Sequence, residues 1–288
     1  MTRALHIIVG TGGRDRHRRA VVEQVAQTAH RNGWQATEIA LDDLPSQIDS
    51  IERLVLCGGD GLVHQCLPSL VHTEVDVAVV PVGTGNDFAR AFGVDGHNAV
   101  AIAAVAPDEG DVALVDIVKA GDRFAASVVT GGYSGRVTDT ANRISFPPGS
   151  AKYTIAALRE IGRLCATPAT LTLDAGGPEP IVLDGDITMF AIGNTGWFGG
   201  GMQICPAAEP TDGVLDVVTV GPIGRFAFAR WLPKVFRGTH TAHSTVRVAR
   251  AVTVTIETDE RLWADGEPFG TAPVELTVER RALRLLVP

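Results

Sequence analysis

The first third of the chain alternates between short apolar runs and amphipathic stretches, a pattern that predicts buried strands separated by helices. Three of the apolar runs stop at a glycine- or proline-containing turn, as buried parallel strands do. The predicted strands are residues 5–9, 34–41, 53–57 and 75–80, and the predicted helices lie near residues 21–29, 62–70 and 99–105. This order of elements predicts a doubly wound α/β domain built on a parallel sheet.

The remainder of the chain has a different pattern, in which β-rich segments are separated by turns of Gly, Pro and Asp. The segments are residues 112–118, 123–130, 170–173, 181–192, 215–220, 246–256, 261–264 and 274–286. Such a series predicts a mainly antiparallel β-sandwich, with one helix at residues 153–165. We therefore predict two domains, residues 1–117 and 118–288, and whether the final strand returns to the first domain stays open.

Composition narrows the class of protein. The chain has 288 residues, 45% of them hydrophobic, and a net charge of −8, which argues against a general nucleic-acid binder because such proteins need a basic surface. Four cysteines without a CxxC pair predict neither a zinc site nor disulfides and fit a reducing cytoplasm. The apolar run near the amino terminus is too short for a signal peptide. Residues 187–208 carry no charge but are rich in glycine, so we expect no membrane-spanning helix.

Two glycine-rich turns follow predicted strands and carry the candidate chemistry. The first is Gly58-Gly59-Asp60-Gly61, and the second lies within residues 81–90, which read PVGTGNDFAR. Glycines let a backbone approach a ligand closely, and the N–H groups of such turns can receive phosphate oxygens. An aspartate beside them can hold Mg²⁺ or accept a proton. A third glycine-rich loop, at residues 10–13, follows the first strand and has the layout of a phosphate-binding edge.

These turns, together with two motifs further along the chain, resemble the diacylglycerol-kinase catalytic family of lipid kinases, which includes sphingosine and ceramide kinases. The further motifs are residues 212–216, DGVLD, and residues 265–267, DGE. The resemblance covers nearly the whole chain. It implies an N-terminal α/β nucleotide-binding domain and a C-terminal β-sandwich with ATP in the cleft between them. It also implies Mg²⁺-dependent transfer of the γ-phosphoryl group of ATP to a lipid hydroxyl.

The resemblance also implies roles for individual residues. The nucleotide-binding residues implied are Gly10, Thr11, Gly12, Gly58, Gly59, Gly61, Gly83, Thr84, Gly85 and Asn86. Mg²⁺ would be held, directly or through water, by Asp60, Asp87 and Asp116. The proton of the acceptor hydroxyl would be taken by Glu267, with Asp60 as the competing choice. Phosphoryl transfer needs alignment and charge neutralisation more than covalent help, so this set of groups is chemically sufficient.

A second, structural Mg²⁺ site is implied at the Asp212 turn. The side chain of Asp212 would be joined there by the backbone carbonyls of Glu209 and Val214. Asp-Gly is also a common hairpin turn, so a purely structural turn is the alternative.

The sequence departs from the family pattern at three places. The first loop lacks the usual Asn-Pro, and Leu62 and Gln65 stand where Thr and Glu are usual. Two alternatives therefore stay open: an NAD kinase-like enzyme, since that family also uses a GGDG turn, and a catalytically silent nucleotide- or lipid-binding regulator. The motifs identify neither the acceptor alcohol, for which diacylglycerol is the first choice, nor the oligomeric state, for which a homodimer is one option.

A basic stretch near the end of the chain raises the question of membrane contact. Residues 217–256 contain no Asp or Glu but six Lys or Arg residues. Read as a helix, Phe228, Trp231, Leu232 and Val235 share one face, while Arg230, Lys234 and Arg237 share another. Such a helix could lie on an anionic bilayer at the inner face of a membrane. The alternative is a helix that packs into the core and leaves a solvated basic face.

Overall fold

The structure, a computed structural model, describes residues 3–10, 15–106, 109–146 and 150–288. The chain divides into two compact units. The first consists of Met1–Ile117 and Arg280–Pro288, and the second of Val118–Glu279. None of the helices in the described part of the chain combines the length and apolar composition needed to cross a bilayer.

The first unit is built on a parallel sheet with the strand order β2, β1, β3, β4. Its strands are β1 (Arg3–Val9), β2 (Trp34–Glu38), β3 (Arg53–Gly58) and β4 (Asp76–Pro81), and its helices are α1 (Asp15–Arg31), α2 (Leu44–Gln47), α3 (Asp60–Leu70), α4 (Asp87–Ala91) and α5 (Ala99–Ala103). Short 3₁₀ turns flank α2 at Leu41–Asp43 and Ile48–Ser50. All six residues of β3 are buried, which explains the apolar run at residues 54–57, because a central parallel strand is covered on both faces.

The chain leaves the first unit along strand β5 (Asp111–Ala120) and returns to it along the last strand, β18 (Val274–Val287). Within the first unit, Arg284 and Leu285 of β18 pair in parallel with β4. The Arg284 guanidinium donates to Asp76 at 2.9 Å. The final strand therefore completes the parallel sheet.

The second unit contains two antiparallel sheets. One joins the first part of β18 to β15 (Thr253–Thr258), β8 (Thr167–Leu173) and β9 (Ile181–Ile187), in that order. The other has the order β14 (Val246–Ala251), β13 (Leu215–Val220), β10 (Met189–Gly193), β7 (Val128–Gly132), β16 (Arg261–Ala264) and β17 (Glu267–Thr271). Buried residues from both sheets, including Leu171, Ile192 and Val254, form one apolar cluster, as in a β-sandwich. The predicted fold class, an α/β domain followed by a β-sandwich domain, is confirmed.

Three segments that the sequence presents as single apolar runs each form two strands in different sheets. Residues 246–256 divide into β14 and β15, and residues 181–192 divide into β9 and β10. Residues 123–130 begin as β6 (Arg123–Ala125), which pairs with β5, and continue as β7. A strand that changes sheets needs only a local bend, so the hydrophobic pattern continues through the break.

The helices of the second unit cover the outer side of the six-stranded sheet. They are α6 (Tyr133–Asn142), α7 (Ser150–Gly162) and α8 (Arg225–Trp231), and α8 continues as 3₁₀ turns at Leu232–Arg237 and Thr239–Ala242. A short hairpin of β11 (Trp197–Phe198) and β12 (Met202–Gln203) lies between them in the chain. Phe228 and Trp231 join sheet residues such as Met189 in a second apolar cluster. The sequence did not predict α6, whose residues are mostly polar or small.

Candidate functional site

The two glycine turns of the first unit lie backbone to backbone. Gly59 connects β3 to α3, and Gly83 follows β4. A Cβ placed on Gly83 would stand 2.6 Å from the Cα of Gly59, and one placed on Gly59 would stand 3.1 Å from the Cα of Gly83. Real side chains do not tolerate the shorter distance without displacement of the backbone. Gly83 therefore requires glycine, a side chain at Gly59 would need a small shift of its neighbour, and the turns form one surface with few side chains at the carboxyl edge of the sheet.

The first glycine-rich loop begins at the same edge. The N–H of Gly10 donates to the carbonyl of Cys57 at 3.0 Å, and a Cβ on Gly10 would lie 3.5 Å from the Cα of Gly58. Thr11 and Gly12, predicted to contact the nucleotide, lie outside the described residues. Helix α3 starts here without a side-chain cap at Gly59, so its first N–H groups point toward this edge as an anion-binding helix terminus does.

Asp60 links the two turns through a hydrogen bond. It is the first residue of α3, and its Oδ1 accepts the N–H of Phe88 in α4 at 2.9 Å. Phe88 follows Asp87, whose side chain is buried beside Arg90, 4.0 Å from the Arg90 Nε. The structure therefore brings Asp60 and Asp87 together, although they lie on different strand-to-helix connections.

Asn86 closes the second turn. Its Oδ1 accepts the N–H of Gly83, its Nδ2 donates to the Gly83 carbonyl, and both distances are 3.0 Å. The residue has φ 54°, a left-handed conformation that asparagine adopts more readily than most residues. Arg90 donates to the carbonyl of Gly85 at 3.1 Å, and Thr84 at the tip of the turn is exposed. Asn86 and Arg90 thus fix the shape of the loop from inside and leave Thr84 accessible.

Asp116 is fixed in a different way. It is buried in β5, and its Oδ1 accepts the N–H of Arg281 from β18 at 2.7 Å. Arg281 has φ 53°, so this carboxylate secures an irregular point in the last strand. The described residues contain no group of three or more His, Cys, Asp and Glu side chains placed to hold a metal.

Glu267 lies in the second unit at the first position of β17, directly after the turn formed by Asp265 and Gly266. The carboxylate of Asp265 accepts the N–H groups of Ala126 at 2.8 Å and Ser127 at 3.0 Å. Asp265 has φ 52°, and these two hydrogen bonds hold it in that conformation. Asp265 therefore positions the turn that presents Glu267.

Tyr153 of α7 lies near Glu267. Burial, and then the negative charge of Glu267, raise the pKa of the Tyr153 hydroxyl above its ordinary value, so this phenol is neutral at physiological pH. Sequence reasoning missed Tyr153 because no motif links α7 to the DGE turn. It also left out Arg90, although Arg90 stands inside the quoted motif.

The Asp212 turn is occupied by protein groups. The Asp212 Oδ1 accepts the N–H of Val214 at 3.1 Å, and its Oδ2 is paired with the Arg250 guanidinium. Arg250 also lies 3.4 Å from the buried carboxylate of Asp216. The Glu209 carbonyl accepts the N–H of Thr211 at 2.8 Å. This guanidinium pairs with the carboxylate that a divalent cation would need, and the structural Mg²⁺ site implied by the resemblance stays a prediction.

The two unusual residues after the GGDG turn have different surroundings. Leu62 is buried, and its side chain packs below the turn, where a Cβ on Gly58 would meet it at 2.6 Å. Gln65 is exposed. Leu62 therefore supports the turn by packing against the backbone of Gly58 and Gly10.

The basic stretch forms α8 and the following 3₁₀ turn, and its apolar face is buried. Phe228, Trp231 and Val235 are each no more than 1% exposed. These three side chains therefore pack into the core, as the packing alternative predicts, and contact of this segment with a membrane stays a prediction. Arg230, Lys234 and Arg237 are exposed, as that alternative predicts.

The comparisons with protein families agree with this arrangement. Residues 3–120 match the diacylglycerol kinase catalytic domain, and residues 127–287 match the YegS C-terminal NAD kinase beta sandwich-like domain. The first match contains both glycine turns, and the second contains the Asp212 turn and the DGE turn.

Individual relatives cover most of the chain. A diacylglycerol kinase of Mycobacterium tuberculosis is 35% identical over 82% of this chain and 77% of its own length. A YegS-like lipid kinase of Shewanella frigidimarina is 25% identical over 90% of this chain and 84% of its own. The crystal structure of a diacylglycerol kinase from Bacillus anthracis superposes with a TM-score of 0.75 at 20% identity, covering 100% of this chain and 97% of that one. The chain belongs to the diacylglycerol-kinase catalytic family of lipid kinases.

Proposed function

We propose that this protein is an ATP- and Mg²⁺-dependent lipid kinase that transfers the γ-phosphoryl group of ATP to the hydroxyl of a diacylglycerol-like acceptor. The observation that carries the proposal is the contact between the Gly59 and Gly83 turns, with Asp60 hydrogen-bonded to the N–H of Phe88. This arrangement gives a surface with few side chains for a polyphosphate, with carboxylates beside it. The named mycobacterial relative supports the choice of diacylglycerol as acceptor.

In this proposal the first unit binds the nucleotide. The backbone N–H groups at the start of α3, and those of the second turn after Gly83, whose own N–H donates to Asn86, receive phosphate oxygens, since they replace the hydration of the anion. Thr84 and Asn86 border the nucleotide, and Arg90 keeps the Gly85 backbone in place. Gly10 contributes the edge of the first loop. Fixed donors of this kind lower the transition-state energy because they need no rearrangement as charge develops.

Asp60 and Asp87 fit the requirements for Mg²⁺. This ion takes oxygen ligands, keeps several waters and is usually held by one or two carboxylates together with substrate phosphates. A preformed group of three protein ligands is therefore not needed. Bound Mg²⁺ would neutralise charge on the transferred phosphoryl group. We assign Asp116 an indirect part, because its Oδ1 accepts the N–H of Arg281.

Glu267 is the proposed acceptor of the hydroxyl proton. Asp265 fixes the turn before it, and the neutral phenol of Tyr153 lies beside it. We propose that the second unit binds the lipid and presents its hydroxyl to Glu267. Asp60 is less suitable as the base, since one of its oxygens already accepts the N–H of Phe88.

The test is transfer of labelled phosphate from ATP to diacylglycerol, sphingoid base, ceramide, a prenol and NAD. We expect transfer to diacylglycerol that disappears when EDTA removes divalent cations. Glu267→Gln should lower the rate by about 10²- to 10⁴-fold, the usual effect of losing a general base. Asp87→Asn should lose activity at least as severely. Asp184→Asn, an exposed change on β9, is the matched control.

The panel also separates the alternatives. The second unit matches a domain described as NAD kinase beta sandwich-like, so NAD has to be among the acceptors tested. Transfer of phosphate to NAD alone would replace the lipid assignment. Stabilisation by Mg-ATP without transfer to any acceptor would favour a silent regulator. Full activity of both Glu267→Gln and Asp87→Asn, with circular dichroism spectra like the wild type, would refute the residue roles.

A further inference from the structure

Helix α8 and the 3₁₀ turn after it present an outward ridge on the second unit. Phe228, Trp231 and Val235 point inward and are buried. The side opposite carries Phe226, Arg230, Pro233 and Phe236, spaced four, three and three residues apart, the spacing that keeps side chains on one side of α- and 3₁₀-helical turns. Each of these is exposed. The inward side of the segment is apolar, as in an amphipathic helix, but its solvent-facing side also carries two phenylalanines.

The exposure of these rings is high for aromatic side chains. Phe226 is 90% exposed and Phe236 is 54% exposed. Helix α7, which packs against α8, adds Ile155 at 44% and Leu158 at 66% exposure. Single exposed apolar residues are common, but several on adjoining elements mark an interaction surface.

The charged residues of α8 and the 3₁₀ turn after it have one sign. Arg225, Arg230, Lys234 and Arg237 are all exposed. No Asp or Glu occurs between residues 217 and 256, in a chain whose net charge is −8. We call Arg225, Phe226, Arg230, Lys234, Phe236 and Arg237 together the α8 surface. Its partner must be anionic and must also accept aromatic rings.

We propose that the α8 surface docks on an anionic lipid bilayer. Phe226 stands in the first turn of α8 almost fully in solvent, so its ring can enter a fluid acyl layer without a shaped pocket in a partner. Lys and Arg side chains beside such rings reach the phosphate level of the bilayer while their stems lie on apolar surface. The biological sense of this docking rests on the proposed lipid-kinase function, whose acceptor resides in a membrane, but the binding itself does not require turnover.

The experiment measures co-sedimentation of the purified full-length protein with vesicles, in the absence of nucleotide. One vesicle contains phosphatidylcholine alone, and the other contains two parts phosphatidylcholine to one part phosphatidylglycerol. We expect binding to the anionic vesicles only. Raising the salt concentration should weaken it, because exposed charges are screened.

Two double variants test the two components of the α8 surface. Arg230→Gln with Lys234→Gln should weaken binding to anionic vesicles by about 30-fold, given the usual contribution of each basic residue near such a surface. Phe226→Ser with Phe236→Ser should weaken it by roughly tenfold or more through the loss of ring insertion. All four side chains are exposed, so the fold should persist.

Two control variants carry the same types of substitution at exposed positions on other elements. Arg31→Gln with Arg280→Gln removes two exposed cations from other elements, and Ile181→Ser with Val182→Ser removes two half-exposed apolar side chains from β9. Both control proteins should bind anionic vesicles like the wild type. All variants should phosphorylate an acceptor dispersed in neutral detergent at the wild-type rate, which separates docking from catalysis.

Three outcomes would overturn the proposal. One is wild-type protein that binds neither vesicle or binds both equally. Another is retention of binding in both α8 variants. The third is a wild-type dimer, seen by sedimentation velocity, that the phenylalanine variant dissociates without any change in vesicle binding, because the surface would then join two copies of the chain.

Discussion

At Gly83 a single hydrogen atom in place of a side chain allows the two glycine turns to touch. We expect Gly83→Ala to force the turns apart, because its Cβ would stand 2.6 Å from the Cα of Gly59. Overpacking of this kind typically costs about 1–3 kcal/mol of folding free energy. Loss of Mg-ATP binding should accompany it, since the Asp60 to Phe88 hydrogen bond spans the same contact. Chemical denaturation and a thermal-shift titration with Mg-ATP measure the two effects.

Gly96→Ala is the control for this change. A Cβ at Gly96 would have nothing within 4 Å, so its stability and nucleotide response should match those of the wild type. Equal Mg-ATP stabilisation of Gly83→Ala and wild type would show that the contact of the turns is irrelevant to the nucleotide.

Arg250 provides the cation at the Asp212 turn. Arg250→Gln leaves the Asp216 side chain, 2% exposed, without its charge partner, and burial already raises the pKa of that carboxyl. Leaving a buried charged group without its partner costs about 1–3 kcal/mol of folding free energy. We expect a loss near the lower end of this range, because the Arg250 side chain is half exposed. Thermal unfolding of the wild type should be insensitive to EDTA, and the variant should unfold at a lower temperature.

The exposed residue Arg247 on the same strand gives the comparison. Arg247→Gln should leave the unfolding temperature unchanged. A large EDTA-induced loss of stability in the wild type, measured without nucleotide, would contradict our assignment and restore a structural metal to this turn.

Site residues that belong to a local motif can be predicted from the sequence, whereas those that reach the site through strand pairing cannot. Gly59, Asp60 and Asp87 belong to local motifs, and a strand that ends at each motif is enough to place them at one sheet edge. Arg250 belongs to no motif. It reaches Asp212 and Asp216 only because β13 and β14 pair with Asp216 opposite Arg250, and strand register depends on tertiary packing.

At the scale of elements, the pattern predicts that a segment is extended but not which sheet contains it. The sequence predicts one strand over residues 181–192, whereas Thr188 separates β9 from β10. The N–H of Thr188 donates to the Val220 carbonyl at 2.7 Å, and its hydroxyl donates to the Gly221 carbonyl at 2.8 Å. The bend is therefore held by contacts to a distant strand end, which a local hydrophobic pattern does not report.

The 3₁₀ turn Thr239–Ala242 contains a buried histidine, and we expect the packing of α8 to depend on pH through it. His240 is fully buried, its Nε2 lies 3.0 Å from the Ile204 carbonyl, and its ring packs on Trp231. Burial lowers the pKa of His240 below its ordinary value of 6.5, so the unfolded chain binds this proton more readily than the folded one. Stability from this residue is fully present above pH 6.5 and is lost as the pH falls below it.

Urea denaturation at several pH values between neutral and mildly acidic measures this effect. His240→Gln keeps a donor but does not titrate, so its free energy of unfolding should be lower at neutral pH and should depend less on pH. His97→Gln, a change at an exposed loop position, should keep the wild-type pH dependence. Parallel pH profiles of wild type and His240→Gln would remove His240 as the cause.

At the scale of the whole molecule, the last segment of the chain, Arg280–Pro288, belongs to the first unit, whose other residues are Met1–Ile117. Ala282, Leu283, Leu285 and Leu286 are each at most 2% exposed, and Arg284 pairs with Asp76. Periodicity predicts the final strand but cannot choose its partner, because β18 runs as one strand from Val274 to Val287 and pairs with β15 before it pairs with β4.

This arrangement predicts that residues 1–117 fold only with residues 280–288 present. The Arg281 N–H lies 2.7 Å from the Asp116 Oδ1, so a short Gly-Ser linker can join the two pieces directly. We expect the linked fragment to unfold cooperatively on heating, and residues 1–117 alone to show no cooperative transition, because β4 would then expose an unpaired apolar edge. Replacing Leu283 and Leu285 with Asp in the linked fragment should also abolish the transition. Cooperative melting of residues 1–117 by themselves would show that the last strand is dispensable for that unit.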